Sequence, residues 1–134
     1  MTLQQWFVPR PALSKYINPR LFAPFGLMGA LASVLLLTWL LTGLMSNNAA
    51  AELAFPIAMA VADKLGAQPA PFVMAALHGA SASFLTPYGY QTNLMAMAPG
   101  KYAFSDYLRV GTPVALAYLA TALVAIPWLF PFKV

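Results

Sequence analysis

Long apolar runs, twice interrupted by short polar clusters, set the pattern of this chain. Residues 35–41 and 49–62 are mostly apolar, and between them stands Thr42-Gly43-Leu44-Met45-Ser46-Asn47-Asn48. A second cluster, Thr86-Pro87-Tyr88-Gly89-Tyr90-Gln91-Thr92-Asn93, interrupts the next apolar stretch. The pattern predicts a first helix best defined over 29–45, with Pro24 and Gly26 making its entry a loop or a kink. Ser46-Asn47-Asn48 stops it. Asn47 or Asn48 suits the N-cap of a second helix over 49–62, because an amide oxygen accepts from the exposed N–H groups of a first turn. Asp63-Lys64-Leu65-Gly66 ends that helix, and Gln68-Pro69-Ala70-Pro71 reads as a turn. A third helix over 72–85 is rich in small residues, which let helices approach closely. It ends at Thr86-Pro87. A half-helix over 94–99 and a final helix over 106–130, capped by Ser105 or Asp106, complete the prediction.

Composition decides the solvent. The 134 residues are 61% hydrophobic and 7% charged, with mean hydropathy +0.72. Soluble domains carry about 25% charged residues, so too little polar surface remains here to cover a water-soluble globule. The chain reads as an all-α integral membrane protein, multi-pass, with the lipid bilayer as its first partner. Its length suits three or four crossing or re-entrant segments of about 20 residues each. At about fourteen residues the second helix is short for a crossing and suits a re-entrant arm, whereas the last is long enough to span. Irregular backbone at membrane depth survives only when buried in protein or lining a cavity. Two polar breaks between half-length helices are therefore a pointer to a transporter's binding site. The plainer alternative makes both clusters polar loops at the membrane surface, with asparagine as an ordinary cap.

Charge and chemistry then narrow the classes. Residues 1–20 form a polar, basic tail, and 21–134 the membrane domain. Arg10, Lys15 and Arg20 precede the first apolar run without an acid among them, so the net charge of +4 is not a nucleic-acid signature. By the positive-inside tendency that tail lies in the cytoplasm. Trp6 and Tyr16 suit the headgroup level. With no cysteine and a single histidine, His78, no transition-metal site is expected. Nothing pairs a nucleophile with a base or cradles a phosphate, so an enzyme is the least favoured class and no cofactor is expected.

The residues at the two breaks carry a resemblance. Ser46-Asn47-Asn48, then Ala49-Ala50 and Phe55-Pro56-Ile57, resembles the Ser-Asn-Thr hairpin motif of the divalent anion:sodium symporters, grouped with citrate-transporter-like permeases. The run from Ser81 through Thr86-Pro87-Tyr88-Gly89-Tyr90-Gln91-Thr92-Asn93, then Pro99-Gly100 and residues 104–111, resembles the second signature of the same family. The match covers about 30–130. Asn48 stands where the motif more usually has threonine, so the resemblance leaves the substrate open. It implies one partial inverted repeat: a re-entrant helical hairpin, an interrupted transmembrane helix and a final full-span helix. It implies a carrier of sulfate or di- and tricarboxylates in the cell (inner) membrane, sodium as coupling ion, and a homodimer in the intact family. By resemblance, Thr42, Met45 and Asn47 with Thr86 or Pro87 form a sodium site, largely through carbonyls. Ser46, Asn47, Asn48, Thr92 and Asn93 contact the anion. Family hairpins set their tip near the midplane, whereas an unbroken helix from residue 21 would carry Ser46 to the far face. Pro24 and Gly26 reconcile the two by leaving part of 21–30 as loop.

The chemistry suits those residue types. No lysine or arginine lies near either break, so positive potential must come from half-helix N-termini, which carry about half a charge and bare N–H groups. Sodium prefers oxygen ligands, which unwound carbonyls and an asparagine oxygen supply. Two organisations remain open: a fragment or truncated form of such a symporter, inactive without its missing half, or a stand-alone accessory or split-transporter subunit. Three further features read more plainly. Glu52 is taken as a snorkelling or paired acid, His78 as a packing histidine, and Asp106 with Arg109 as a helix-surface ion pair. The methionines and tyrosines read as packing and interface residues.

Overall fold

A computed structural model describes residues 26–132; the basic tail, the Pro24 entry and the proposed headgroup residues Trp6 and Tyr16 lie outside them. Within that span the chain is all-helical, without strands: α1 Gly26–Leu44, α2 Asn47–Leu65, α3 Pro69–Ser81, α4 Gln91–Gly100 and α5 Phe104–Leu129. Helix gives way at the two polar clusters, residues 45–46 between α1 and α2 and 82–90 between α3 and α4, as well as at 66–68 and 101–103.

Helix boundaries differ from the sequence expectation in ways that local chemistry explains. The N-cap of α2 is Ser46, not Asn47 or Asn48, and its Oγ accepts from the Ala49 N–H at 3.4 Å. Both asparagines are thereby drawn into the helix. At the other end Asp63, Lys64 and Leu65 stay helical, Lys64 favourably placed in the last turn. The helix stops where Gly66 turns left-handed (φ 63°) and Ala67 N–H reaches back to the Ala62 carbonyl at 3.1 Å, closing a Schellman motif. The second helix therefore has 19 residues, not fourteen. Length alone no longer separates it from a crossing helix. Among the described residues, α1 and α5 are the two helices both long and apolar enough to span a bilayer.

Pro69 starts α3 three residues early, because a proline at the first helical position forgoes an N–H that has no partner there. The same helix ends at Ser81, four residues short of the expected 85. Conversely α4 begins at Gln91, so Thr92 and Asn93 are helical rather than part of the break. The cap of α5 is Ala103, not Ser105 or Asp106. Asp106 instead turns its carboxylate back to accept the Ala103 N–H at 2.8 Å. No ion pair with Arg109 is formed among the described residues.

α3 is the centre of the bundle, packed on by α1, α2 and α5. Small residues make this possible. A Cβ at Gly79 would lie 2.6 Å from the Leu35 carbonyl oxygen and 2.9 Å from Thr38 Cβ, so α1 and α3 meet backbone to backbone. Gly111 does the same for α5, whose chain passes against the backbone of Phe84 and Leu85. On α1 the buried stripe is Ala30, Leu31, Val34, Leu35, Thr38 and Thr42, whereas Leu36, Leu37, Leu40 and Leu44 are exposed. A helix that bares leucines on its unpacked side is built for lipid or for further apolar protein, not for water. His78 packs as expected, sharing a 2.7 Å hydrogen bond between Nδ1 and the Tyr118 hydroxyl rather than facing the exposed Glu52. α4 has no buried residue and no helix packed closely along it, and the Tyr107 hydroxyl of α5 meets it at the Asn93 carbonyl.

Candidate functional site

Two helices end and two begin within a few residues of one another. The C-termini of α1 and α3 and the N-termini of α2 and α4 converge where the two breaks touch. The Asn47 N–H, the first of α2, donates to the Gly89 carbonyl at 3.3 Å. The Asn47 Nδ2 lies 3.3 Å from the Tyr90 hydroxyl, which in turn donates to the Ser81 carbonyl at 3.1 Å. Helix C-termini present carbonyl oxygens and negative potential, and N-termini present N–H groups and positive potential. The junction thus places cation-favouring and anion-favouring ends side by side.

The carbonyls that close α1 are held by side chains of the second break. The buried Ser83 hydroxyl donates to the Thr42 carbonyl at 3.4 Å, and the Thr86 hydroxyl donates to the Gly43 carbonyl at 3.3 Å. Each carbonyl has two lone pairs, so one hydroxyl does not exhaust it. The Thr42 hydroxyl, fully buried, donates to the Ala80 carbonyl at 2.8 Å and ties the ends of α1 and α3 together. Its proton is committed to that tie. Replacing Thr42 by valine strands that buried Ala80 carbonyl and should lower stability by about 1–3 kcal/mol. Thermal unfolding in one detergent checks this against Thr121→Val, whose exposed hydroxyl bonds only within its own helix, to Ala117. Equal melting of the two variants would remove Thr42 from this role.

The sequence candidates separate in the structure. Thr42, Asn47 and Thr86 are joined across the junction, Asn93 is held within the second break, Pro87 is buried there, and Met45 sits half-buried at the first break. Asn93 reaches back from the first turn of α4, its Nδ2 3.3 Å from the Ser83 carbonyl. Ser46 caps α2 through a lone pair of its Oγ. Asn48 and Thr92 are exposed, and no hydrogen bond joins either to the opposite break. Four residues that sequence reasoning passed over belong to the junction: Ser83, Gly89, Tyr90 and Tyr107. Ser83 had read as a packing residue inside a helix that in fact ends before it. Gly89 allows the close approach, since a Cβ there would collide with the Ser83 side chain and stand 3.3 Å from the Thr42 carbonyl. Tyr90 and Tyr107 had read as interface residues, yet Tyr107 donates to the Asn93 carbonyl at 2.8 Å. Their only sequence signal was membership of the polar cluster and its flank.

Comparison with known proteins adds an independent line. A family model described as citrate transporter matches residues 16–134. An uncharacterized transporter of Escherichia coli strain K12 is 44% identical over 87 residues, which are 65% of this chain and 14% of that protein. An uncharacterized transporter of Synechocystis is 47% identical over 89 residues, 66% of this chain and 14% of its own length. Sodium/sulfate cotransporter 1 of Chlamydomonas reinhardtii is 41% identical over 88 residues, 66% of this chain and 10% of that protein. The chain spans less than a fifth of the length of each of these relatives.

Proposed function

The chain belongs to the citrate transporter family of membrane transporters, and on that premise we propose that it supplies one ion-and-anion half-site of a sodium-coupled carrier of sulfate or di- and tricarboxylates. The observation that carries this is the Asn47 junction: one residue bonds to Gly89 through its backbone and to Tyr90 through its side chain, where four helix ends meet. In this reading the carbonyls of Thr42 and Met45, the Asn47 side chain, and Thr86 or Pro87 hold sodium. The N-termini of α2 and α4, with Ser46, Asn48, Thr92 and Asn93, face the anion. Ser46 accepts from the Ala49 N–H through its Oγ, which leaves its hydroxyl proton to donate to the anion. Sodium then supplies the positive charge that no nearby lysine or arginine provides.

Depth supports the reading. α5 has 26 residues and so extends about 39 Å, against about 30 Å of hydrocarbon. Gly111, the residue of α5 that meets the second break, lies about 8 Å from the midpoint of that helix. With α5 centred in the bilayer, the Phe84–Leu85 part of the second break falls inside the apolar slab, where unwound backbone persists only around a cavity or within protein. The α1–α2 pair acts as the re-entrant hairpin of one partial inverted repeat, in a multi-pass protein of the inner membrane. The remaining half-site comes from further protein, in the same chain or in a second subunit, and the intact carrier is a homodimer.

A chimera tests this. The matched segment of the Chlamydomonas sodium/sulfate cotransporter 1 is replaced by the corresponding residues of this chain, and radiolabelled sulfate uptake is measured with and without a sodium gradient. Sodium-driven uptake is the expected result, with none from the present chain alone in proteoliposomes. Uptake indifferent to sodium would overturn the coupling. A folded, membrane-inserted chimera without any uptake would favour an accessory subunit instead.

A further inference from the structure

Tyr90 is outside the set of proposed ligands, yet its side chain joins the two breaks. Its backbone is pinned on both sides: the preceding Gly89 carbonyl takes the Asn47 N–H, and its own carbonyl takes the N–H groups of Asn93 at 3.1 Å and Leu94 at 3.3 Å. The ring is half-buried, with the hydroxyl 3.1 Å from the Ser81 carbonyl and 3.3 Å from Asn47 Nδ2. The direction of this hydrogen-bond chain follows from donor and acceptor chemistry alone. A main-chain carbonyl can only accept, so the phenolic proton goes to Ser81. The phenolic oxygen is then left to accept, and a side-chain amide meeting it must offer its NH2 rather than its oxygen.

We infer that Tyr90 is a positioning residue that fixes the orientation of the Asn47 amide, leaving Oδ1 as the end available to a hard monovalent cation in the junction. The inference rests on the ion-coupled reading above and goes beyond it, by assigning how Asn47 acquires its polarity. Without the hydroxyl the amide is free to rotate by half a turn. Donor and oxygen then exchange places, and a fraction of molecules presents NH2 where the cation sits. Tyr90 touches neither ion nor anion in this account. It sets affinity for the cation through Asn47.

The test uses the chain as it stands, in lipid nanodiscs, since every proposed sodium ligand is on it. Asparagine is labelled with 15N, the Asn47 side-chain amide is identified by its loss in Asn47→Asp, and sodium chloride is titrated against choline chloride at constant ionic strength. In the unaltered chain the Asn47 amide signal is expected to shift with sodium and saturate. In Tyr90→Phe the midpoint should rise about fivefold, the worth of one neutral hydrogen bond. Tyr88→Phe makes the same chemical change at an exposed ring two residues away and should leave the midpoint unchanged. A merely structural effect would disturb the Asn48 and Asn93 amides equally, whereas positioning moves Asn47 alone. An unchanged midpoint in Tyr90→Phe overturns the inference and leaves the ion-coupled reading standing. Absence of any sodium response in the unaltered chain overturns both.

Discussion

Replacing Gly111 by leucine is expected to lower the stability of the folded chain by about 3 kcal/mol, the upper range for overpacking a close contact. The reason is what a side chain would strike. A Cβ at Gly111 would lie 2.7 Å from the Phe84 carbonyl carbon and 3.2 Å from Leu85 Cα, with the Phe84 oxygen nearer still. These are backbone atoms, so no rotamer change relieves the clash. Two effects oppose one another, since removing a helical glycine by itself gains about 1 kcal/mol. Sterics win here, and Gly43 provides the contrast: a Cβ there meets nothing within 4 Å. Gly43→Ala should therefore hold its melting temperature or gain slightly. Thermal unfolding followed by size-exclusion in one detergent compares the two. If Gly111→Leu melts with the unaltered chain, α5 is not seated on the second break.

In the chimeric carrier, Asn47→Ala is expected to cut sodium-dependent sulfate uptake about 10- to 100-fold. The substitution removes the proposed oxygen ligand and the bond to Tyr90, and a hydrogen bond to a charged group is worth roughly 1.5–3 kcal/mol. The N–H bond to Gly89 survives, because it comes from the backbone. The cap of α2 also survives, since Ser46 provides it. The loss should therefore appear as a displaced sodium activation curve in a protein that still inserts and folds. Ser46→Ala offers the converse: about 1 kcal/mol of helix stability lost with the cap, and a smaller effect on sodium activation. Uptake within twofold of normal in Asn47→Ala would remove the residue from the ion site.

The two breaks were legible because polar, helix-breaking residues stand out inside apolar sequence and interrupt its helices. The direction of capping was less so. Ser46, Asn47 and Asn48 are all good N-caps, and propensity cannot rank three adjacent candidates; the hydroxyl that reaches the third N–H decides it. Asp63 and Lys64 looked like an end because they are charged, but charge at the last turn is compatible with helix, and the left-handed glycine after them is the true stop. Thr92 and Asn93 were assigned to the irregular segment, yet a helix needs only one extended residue before it, and Tyr90 with φ −128° provides that. The tyrosine network stayed hidden for a different reason. A phenol serves equally at a membrane interface, in a core or in a buried chain of hydrogen bonds, and only three-dimensional proximity to a carbonyl selects among these.

The contact at Gly79 also constrains how this bundle can move. With no side chain between them, the two backbones mesh like the halves of a closed zip, and sliding one past the other would drive Leu35 and Thr38 into the neighbouring turn. Any rigid-body motion within this bundle must therefore carry α1 and α3 as a single block. The freedom has to reside in the less closely packed parts, and α4, held at its first turn by the Asn93 bond to Ser83 and by the Tyr107 hydroxyl of α5, is one such part.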